Sequence, residues 1–279
     1  MKRIVTIQDI SCVGKCSLTV ALPIISAMGV ETAILPTAVL STHTMFNEFT
    51  FRDLTCDITP ITEHWKREQF KFDAIYTGYL GSFEQLALVN KFFTDFKTSD
   101  NVIFVDPVMA DNGKLYPGFT PEFAKAMAEL CKQADVVVPN LTEAAFMLGE
   151  ECCLAGYNED YIKSTLKKLT ALGAKCAVLT GVSFEPGKVG FMGYDSLKDE
   201  FFSYYHRRID MVFHGTGDVF ASTAVGALTR GFTLGEALKI AADYTVECIE
   251  ITMADPEHDT YGVEFEKAIP ALLKTLGDC

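Results

Sequence analysis

No run of apolar residues in this chain approaches the length that a transmembrane helix needs. Basic residues are scarce as well: 24 lysines and arginines stand against 37 aspartates and glutamates, so the formal net charge is -13. Nucleic-acid backbones select basic surfaces, and this charge therefore argues against a nucleic-acid binder. The opening residues, MKRIVTIQDI, lack the apolar core and small-residue cleavage site of a secretory signal. These absences predict a cytoplasmic protein without nucleic-acid or membrane partners.

The cysteines lack the spacing of a disulfide framework or a zinc site. There are nine, an odd number, which favours a reducing compartment. Cys12 with Cys16, and Cys152 with Cys153, have no second ligand pair at a zinc spacing, and the five histidines are scattered. Small buried hydrophobic side chains are the better interpretation of these thiols.

The chain also lacks a linker rich in Pro, Gly or Ser, an internal repeat and a low-complexity segment. Apolar β-branched runs alternate with amphipathic helical runs, which predicts one doubly wound α/β domain over residues 1–279, with a mainly parallel sheet and helices on both faces. An antiparallel hairpin of KVGFMGY and EFFSYYHR is expected at one sheet edge. The predicted strands are 3–8, 30–40, 73–78, 102–107, 135–140, 174–181, 188–194 and 200–207. The predicted helices are 17–28, 82–96, 121–134, 217–230, 233–252 and 263–276.

The stretch ISCVGKCSLT, residues 10–19, suggests a phosphate-binding P-loop but does not complete one. The motif needs a glycine five residues before Gly14, where Asp9 stands, and a hydroxyl residue after Lys15, where Cys16 stands. A phosphorylated ligand would have to be held by other means. In a doubly wound sheet, ligands bind beyond the carboxyl ends of the strands.

The segment from His214 to Asp218, HGTGD, is the strongest local signal for chemistry. Gly215, Thr216 and Gly217 at the start of a helix would direct free N–H groups and the positive end of the helix dipole toward an anion. Asp218 in the first turn would then accept the proton of a hydroxyl that attacks a phosphoryl group. The alternative is an acidic residue that merely stabilises a helix N-terminus.

Five further motifs occur in order along the chain. They are Ser11 after the first strand, Ser41-Thr42-His43-Thr44, Gly78-Tyr79-Leu80-Gly81-Ser82, Asp106-Pro107-Val108-Met109 and Pro139-Asn140-Leu141-Thr142-Glu143. Together with the GTGD segment, they resemble the ribokinase-like superfamily and, within it, the pyridoxal (vitamin B6) kinases. The resemblance covers nearly the whole chain.

This resemblance implies an ATP-dependent kinase that phosphorylates the 5'-hydroxymethyl group of pyridoxal, pyridoxine or pyridoxamine, with Mg²⁺ as cofactor and a homodimeric assembly. Asp218 would be the catalytic base and would also contact the substrate, and Gly215, Thr216 and Gly217 would form the anion hole. The remaining roles would fall to Ser11, Thr44 and Tyr79 on the vitamin side, to Asp106, Asn140, Glu143 and Thr180 on the ATP side, and to Asp106 and Glu143 at the metal, partly through water.

Some of these residues also have a purely structural interpretation. Asn140 and Glu143 are three residues apart, the spacing of a helix capping box. Asp106 before a proline could simply end a strand, Tyr79 could be a core residue, and Lys15 is expected at the surface near the first helix.

Other functions remain in competition. A hydroxymethylpyrimidine kinase would have the same fold and mechanism, although VLSTHT and Asp218-Val219 favour pyridoxal. A sugar kinase would carry an early Gly-Gly segment, and a Rossmann dehydrogenase would carry G-x-G-x-x-G after the first strand; neither motif is present. A non-catalytic vitamin-binding protein would have no need of a base in the anion hole.

Overall fold

The structure is a computed structural model, and it describes residues 1–211 and 213–278. The helices are α1 (Leu18–Ala27), α2 (Thr55–Arg67), α3 (Phe83–Phe96), α4 (Pro121–Cys131), α5 (Leu141–Leu148), α6 (Glu159–Ala171), α7 (Thr216–Arg230), α8 (Leu234–Ala254) and α9 (Phe265–Leu276). The strands are β1 (Arg3–Ser11), β2 (Glu31–Leu40), β3 (Phe51–Asp53), β4 (Ala74–Thr77), β5 (Val102–Val105), β6 (Ala110–Asp111), β7 (Lys114–Leu115), β8 (Val136–Val137), β9 (Cys176–Val182), β10 (Lys188–Asp195) and β11 (Glu200–Arg207).

The chain separates into two compact units. The first comprises Met1–Gly78 with Ile209–Cys279, and the second comprises Tyr79–Arg208. Each unit is built from strands with helices packed on them. The prediction that residues 1–279 form a single domain stays a prediction.

In the first unit, the strand order is β4-β1-β2-β3. Strand β1 is parallel to both β2 and β4, whereas β3 adds an antiparallel edge to β2. The chain moves from β1 through α1 to β2, and then returns through α2 past β1 to β4. Because such crossovers are right-handed, the reversal of direction puts α1 and α2 on opposite faces of the strands.

A helical layer completes the first unit. Helix α7 packs against α1 and α8, and α8 packs against α9. The core between them is apolar, with contributions from each helix: Val20 and Ile24 of α1 with Met28 at its C-cap, Val219 of α7, Tyr244 of α8 and Phe265 of α9. A Cβ at Gly226 would lie 2.6 Å from the Met28 sulfur, so this glycine lets α7 approach α1 closely. The start of α7 is thus fixed by a rigid scaffold.

In the second unit, the strand order is β11-β10-β9-β8-β5. Strands β5, β8 and β9 are parallel, and β9, β10 and β11 are antiparallel. The small hairpin β6–β7 forms a separate two-stranded sheet. The predicted α/β class, the mainly parallel pairing and the antiparallel hairpin are confirmed.

No helix of the described ranges, 1–211 and 213–278, is both long enough and apolar enough to span a membrane. Three helices were not predicted from the sequence, namely α2, α5 and α6.

Candidate active site

Helix α7 begins with a glycine turn that leaves its first N–H groups outside the helical ladder. Gly215 has φ 76° and ψ 0°, in the left-handed region that glycine adopts at little cost. The Val219 N–H donates to the Gly215 carbonyl oxygen at 3.0 Å, as the first bond of the helix. The N–H groups of Thr216, Gly217 and Asp218 precede that bond and lie at the positive end of the helix dipole. This arrangement favours an anion.

The space around Gly217 is open. Gly217 is exposed, and a Cβ built on it would meet no atom of the described residues within 4 Å. Gly215, in contrast, is packed against the turn before α1, because a Cβ there would lie 2.1 Å from the Lys15 carbonyl oxygen. One glycine therefore anchors the turn, and the other leaves room for a ligand.

Asp218 lies in the first turn of α7, and its carboxylate accepts a hydrogen bond from the Ser17 N–H at 3.0 Å. Burial raises the pKa of Asp218 to about 7, and the negative charge of Asp9 adds to the rise, against the lowering by the Ser17 bond. A carboxyl group with a pKa near neutrality is suited to accept a proton at working pH.

Asp9 is a second carboxylate in this place, and the sequence analysis assigned it no role. Its side chain is buried, at 4% exposure, and accepts hydrogen bonds from the Ser17 hydroxyl at 2.5 Å and the Ser11 hydroxyl at 3.0 Å. Burial raises the pKa of Asp9, against the lowering by these two bonds. An acidic residue inside the predominantly buried strand β1 was the available signal for it.

Ser11 was predicted to contact the vitamin. In the structure it is buried within β1, and its hydroxyl donates to Asp9. Its role toward a ligand stays a prediction. Ser11 nevertheless belongs to the same network as Asp218, since Asp9 and Ser17 connect the two.

Thr44, also predicted on the vitamin side, is exposed next to a buried histidine. His43 Nδ1 accepts the Met45 N–H at 3.2 Å, so Nε2 carries the proton and donates to the Tyr261 carbonyl oxygen at 2.9 Å. Burial lowers the pKa of His43, which favours the neutral ring. A Cβ at Gly14 would lie 2.0 Å from the His43 ring, so the loop that carries Thr44 packs directly on the turn before α1.

Lys15 was expected at the surface near the first helix. In the structure its side chain contacts residues of α9. Its ammonium group is 2.9 Å from a Glu266 carboxylate oxygen and 5.8 Å from the centre of the Phe265 ring. These contacts direct the side chain toward α9, which agrees with the conclusion that it is not a phosphate-binding P-loop lysine.

The second unit contains the residues predicted for ATP and metal. Asn140 and Glu143 form a capping box at the start of α5: the Asn140 side chain accepts the Glu143 N–H, and the Glu143 side chain accepts the Asn140 N–H, both at 2.9 Å. The other Glu143 oxygen accepts the Met109 N–H at 3.1 Å. The Asn140 amide also donates to the Ala110 carbonyl oxygen at 2.8 Å. The helix capping box that the spacing of Asn140 and Glu143 indicated is therefore present.

The Glu143 carboxyl group is buried, and burial raises its pKa to about 8 despite the backbone N–H groups that bind it. Asp106 is buried as well, at 8% exposure, directly after β5. Both carboxyl groups raise the pKa of the buried Cys131 thiol, although desolvation is the larger cause, so both lie near this thiol.

The donor set fits Mg²⁺ bound together with phosphates. This ion usually takes one or two carboxylates plus substrate phosphate oxygens and water. Within residues 1–211 and 213–278, no group of three or more His, Cys, Asp or Glu side chains could hold a metal by itself. Asp106 would therefore supply the direct carboxylate, and Glu143, whose oxygens already accept N–H groups, would act through water.

Thr180 and Tyr79 complete the predicted set in the second unit. Thr180 pairs with Asn140 in an isolated parallel bridge, and its N–H donates to the Pro139 carbonyl oxygen at 3.0 Å. Tyr79 is partly buried, and its ring centre lies 5.5 Å from that of Phe119. The structure thus brings Asn140, Glu143 and Thr180 together.

Comparison with known proteins identifies the family of the chain. The profile of the phosphomethylpyrimidine kinase family matches residues 23–263. The pyridoxine/pyridoxal/pyridoxamine kinase of Bordetella avium is 26% identical over 261 residues, which cover 89% of this chain and 85% of that protein.

Solved structures give the same result. The pyridoxal kinase of Lactobacillus plantarum superposes with a TM-score of 0.90 at 32% identity, over 98% of this chain and 97% of the other. A protein from Bacteroides thetaiotaomicron, in a crystal form with pyridoxal, superposes with a TM-score of 0.92 at 38% identity, over 97% of this chain and 95% of the other. The resemblance seen in the motifs is confirmed. The chain belongs to the phosphomethylpyrimidine kinase family.

Proposed function

We propose that this protein is a kinase that transfers the γ-phosphoryl group of ATP to the 5'-hydroxymethyl group of pyridoxal, pyridoxine or pyridoxamine. The observation that carries the proposal is the carboxylate of Asp218 beside the free N–H groups of the glycine turn, in a chain that is 38% identical to a pyridoxal-bound protein. A base next to an anion site is what phosphoryl transfer to a hydroxyl group requires.

The residues of the first unit would carry out the acceptor chemistry. Asp218 would take the proton of the hydroxyl group as its oxygen attacks phosphorus, and the N–H groups of Gly215, Thr216 and Gly217 would stabilise the charge that develops on the phosphoryl oxygens. Ser11 would hold the vitamin ring through its backbone, because its hydroxyl donates to Asp9.

Thr44 and Tyr79 would add contacts to the vitamin. Thr44 is exposed and can offer a hydroxyl group to a ring substituent, whereas Tyr79 presents an aromatic face that Phe119 orients. A tyrosine supplies a large apolar surface with a polar tip, which suits a substituted pyridine.

The second unit would bind the nucleotide. Asn140, at the N-cap of α5, and Thr180 of β9, which pair in a parallel bridge, would contact the phosphates. Mg²⁺, when bound, would offset the negative charge of the triphosphate. Asp106 would hold the ion directly, and Glu143 would keep Asn140 in place through the capping box and reach the ion through water.

Two alternatives remain. One is hydroxymethylpyrimidine as the acceptor, another small aromatic ring with a hydroxymethyl group, because a relative from Aquifex aeolicus, 28% identical over 189 residues, is a hydroxymethylpyrimidine/phosphomethylpyrimidine kinase. A non-catalytic vitamin-binding protein is the other, and the raised pKa of Asp218 speaks against it, because a simple binder gains nothing from a carboxyl group poised near neutrality.

Parallel assays of the purified protein with each B6 vitamer, hydroxymethylpyrimidine and ribose, with ATP and Mg²⁺, test the proposal. We expect preferential turnover of a B6 vitamer. Preferential turnover of the pyrimidine would overturn the choice of substrate, and binding of pyridoxal without ATP consumption would favour the non-catalytic alternative.

We further propose that the protein works as a homodimer in the cytoplasm. The eight cysteines of the described ranges are all free, which suits a reducing compartment. The half-buried aromatic residues of β11 support an association surface, whose test is argued in the Discussion.

A further inference from the structure

The turn between β1 and α1 has a backbone that ordinary side chains rarely adopt. Gly14, Lys15 and Ser17 have φ of 128°, 50° and 55°. Ser17, at ψ -130°, occupies a region that suits glycine much better than serine. Such a conformation persists only where the surroundings fix it.

Two side-chain carboxylates fix Ser17. Its hydroxyl donates to Asp9 Oδ1 at 2.5 Å, and its N–H donates to Asp218 Oδ2 at 3.0 Å. A backbone bridge between Ile10 and Ser17 holds the turn beside β1. The direction of the Ser17 N–H therefore depends on the bond between its hydroxyl and Asp9.

Asp9 occupies an irregular point of the strand. The register between β1 and β2 shifts between Gln8 and Ile10, next to Pro36, which has no N–H to donate. Such irregularities change the direction in which a side chain points. A buried carboxylate is also costly to fold, a cost that an apolar residue would avoid.

We propose that Asp9 is a positioning residue for the base Asp218: by holding Ser17 in its positive-φ conformation, it directs the Ser17 N–H onto the Asp218 carboxylate. The negative charge of Asp9 also contributes to the raised pKa of Asp218. This inference rests on the proposed function. Asp9 acts through Ser17 and is not required to touch the substrate.

The other ionisable groups near Asp218 are few. Cys16, in the same turn, is partly buried, and its pKa is raised by desolvation and by Asp218 and Asp9. Lys15 is directed toward Glu266, and α1 contains no ionisable side chain. Helix α8 packs along α7 and carries Glu236, Lys239, Asp243, Tyr244, Glu247, Cys248 and Glu250. Among the charged groups of the described chain, Asp9 is the one that shifts the pKa of Asp218.

Two substitutions of Asp9 separate the effect of its charge from the effect of its hydrogen bond to Ser17. Asp9→Asn keeps an oxygen that can accept the Ser17 hydroxyl but removes the charge. We expect its turnover above pH 8 to stay within about 5-fold of wild type, with the midpoint of the kcat–pH profile moved below the wild-type value. Asp9→Ala removes both the charge and the acceptor oxygen. We expect its kcat to fall about 10- to 100-fold, at or below the lower end of general-base effects, while its KM for the vitamin stays within a few-fold of wild type.

Substitution of Ser17 tests the strained backbone. Ser17→Ala loses the bond to Asp9 and keeps the strain of a Cβ, so we expect it to lose activity as Asp9→Ala does. Ser17→Gly also loses the bond, but glycine adopts this conformation without help. We therefore expect Ser17→Gly to retain several-fold more activity than Ser17→Ala.

Asp73→Asn is the matched control at the opposite end of β1. Asp73 accepts the Arg3 N–H and the Lys2 ammonium, each at 2.8 Å, far along the strand from Asp218. We expect this variant to lower the melting temperature without moving the pH midpoint. An unmoved midpoint in Asp9→Asn, or equal activity of the Ala and Gly variants at position 17, would overturn the inference.

Failure of the proposed function gives a different result. A wild-type protein that turns over no vitamer overturns that function. The coupling between Asp9 and Asp218 is then measured by ¹³C NMR of the carboxyl groups, and the Asp218 signal is identified as the one that Asp218→Asn lacks. A lower Asp218 midpoint in Asp9→Asn than in wild type supports the coupling, and equal midpoints overturn it.

Discussion

Asp218 experiences two opposing effects, and their magnitudes decide which prevails. The N-terminal dipole of α7 stabilises a carboxylate by about 0.3–1 kcal/mol, which is less than one pKa unit. Burial and the Asp9 charge raise the pKa from 3.8 to about 7. The helix dipole is therefore not the dominant effect on the pKa of Asp218, and the result is a stronger base than an exposed aspartate.

Replacement of Asp218 by asparagine should lower turnover by roughly two to four orders of magnitude, the range for loss of a general base. The amide keeps the size of the side chain and an oxygen for the Ser17 N–H, so folding and ATP binding should persist. Single-turnover kinetics with saturating ATP measure the effect. Turnover within a few-fold of wild type would mean that another group is the base.

Melting curves are the control for this variant, and their pH dependence has a definite sign. A carboxyl group whose pKa is higher in the folded protein than in the unfolded chain binds its proton more tightly when folded. Its contribution to stability therefore falls as the pH rises from about 4 to 7, and the full penalty, on the order of 2–4 kcal/mol, is present above pH 7. Asp218→Asn should melt higher than wild type at pH 8, and the difference should shrink toward pH 4.

The pH profile of the wild-type enzyme follows from the same group. Only the ionised carboxylate can accept the hydroxyl proton, so kcat should rise with pH and level off above a midpoint near pH 7. Initial rates between pH 5 and 9, at saturating substrates and constant ionic strength, measure the midpoint. A flat profile from pH 5 to 8 would contradict the assignment, because an ordinary aspartate is already ionised throughout that range.

The residues of the site differ in how far the sequence revealed them. The sequence predicts roles for Gly215 and Asp218 because a glycine turn before a helix is a local pattern with a physical meaning. It predicts none for Asp9 and Ser17, because their roles depend on a contact between the turn before α1 and helix α7, 201 residues apart in sequence. The incomplete P-loop match lies in this turn. The role that we propose for the turn depends on its backbone conformation and not on that motif.

At the scale of elements, the two glycines that bound α7 form a natural pair. Gly215 and Gly231 both have positive φ, 76° and 106°. An alanine at either position bears the cost of the left-handed region, about 1–2 kcal/mol. Only at Gly215 would the new Cβ also meet the Lys15 carbonyl oxygen, 2.1 Å away, whereas at Gly231 no described atom lies within 4 Å.

Gly215→Ala should therefore be destabilised by more than Gly231→Ala and should lose activity, because the turn before α1 and the N–H groups of α7 must move apart. Urea unfolding measures the first effect and steady-state kinetics the second. Equal losses of stability in the two variants would show that Gly215 does not support the turn, and full activity of Gly215→Ala would contradict the proposed anion hole.

The elements themselves were largely predictable. Long amphipathic helices and buried β-branched strands carry their pattern locally, and α3, α7 and α8 were bounded to within two residues. Helix α2 was missed since Pro60 and several threonines, which disfavour helix formation, lie inside it. Its packing against β2, a tertiary contact, compensates for that composition.

For the whole molecule, the proposed homodimer would need an association surface, and strand β11 offers one with half-buried aromatic side chains. The two faces of β11 differ. Phe201 lies under α6, with the Lys163 and Lys167 nitrogens 5.3 and 5.5 Å from its ring centre and the tilted Tyr194 ring centred 4.6 Å away. Phe202 and Tyr204 alternate to the opposite face of the strand, beside Phe191, and remain half-buried.

The homodimer should therefore form through the face that contains Phe202 and Tyr204, because α6 occupies the other. Sedimentation at micromolar concentration should give twice the monomer mass of 30.7 kDa. Tyr204→Lys introduces a charge into this face and should shift the protein toward monomer with little change in circular dichroism. Phe51→Lys, at a 52% exposed aromatic residue of β3, is the control and should stay dimeric. A monomeric wild type would exclude the dimer, and a dimer that survives Tyr204→Lys would move the interface elsewhere, since a buried unpaired charge is not tolerated in the core of an interface.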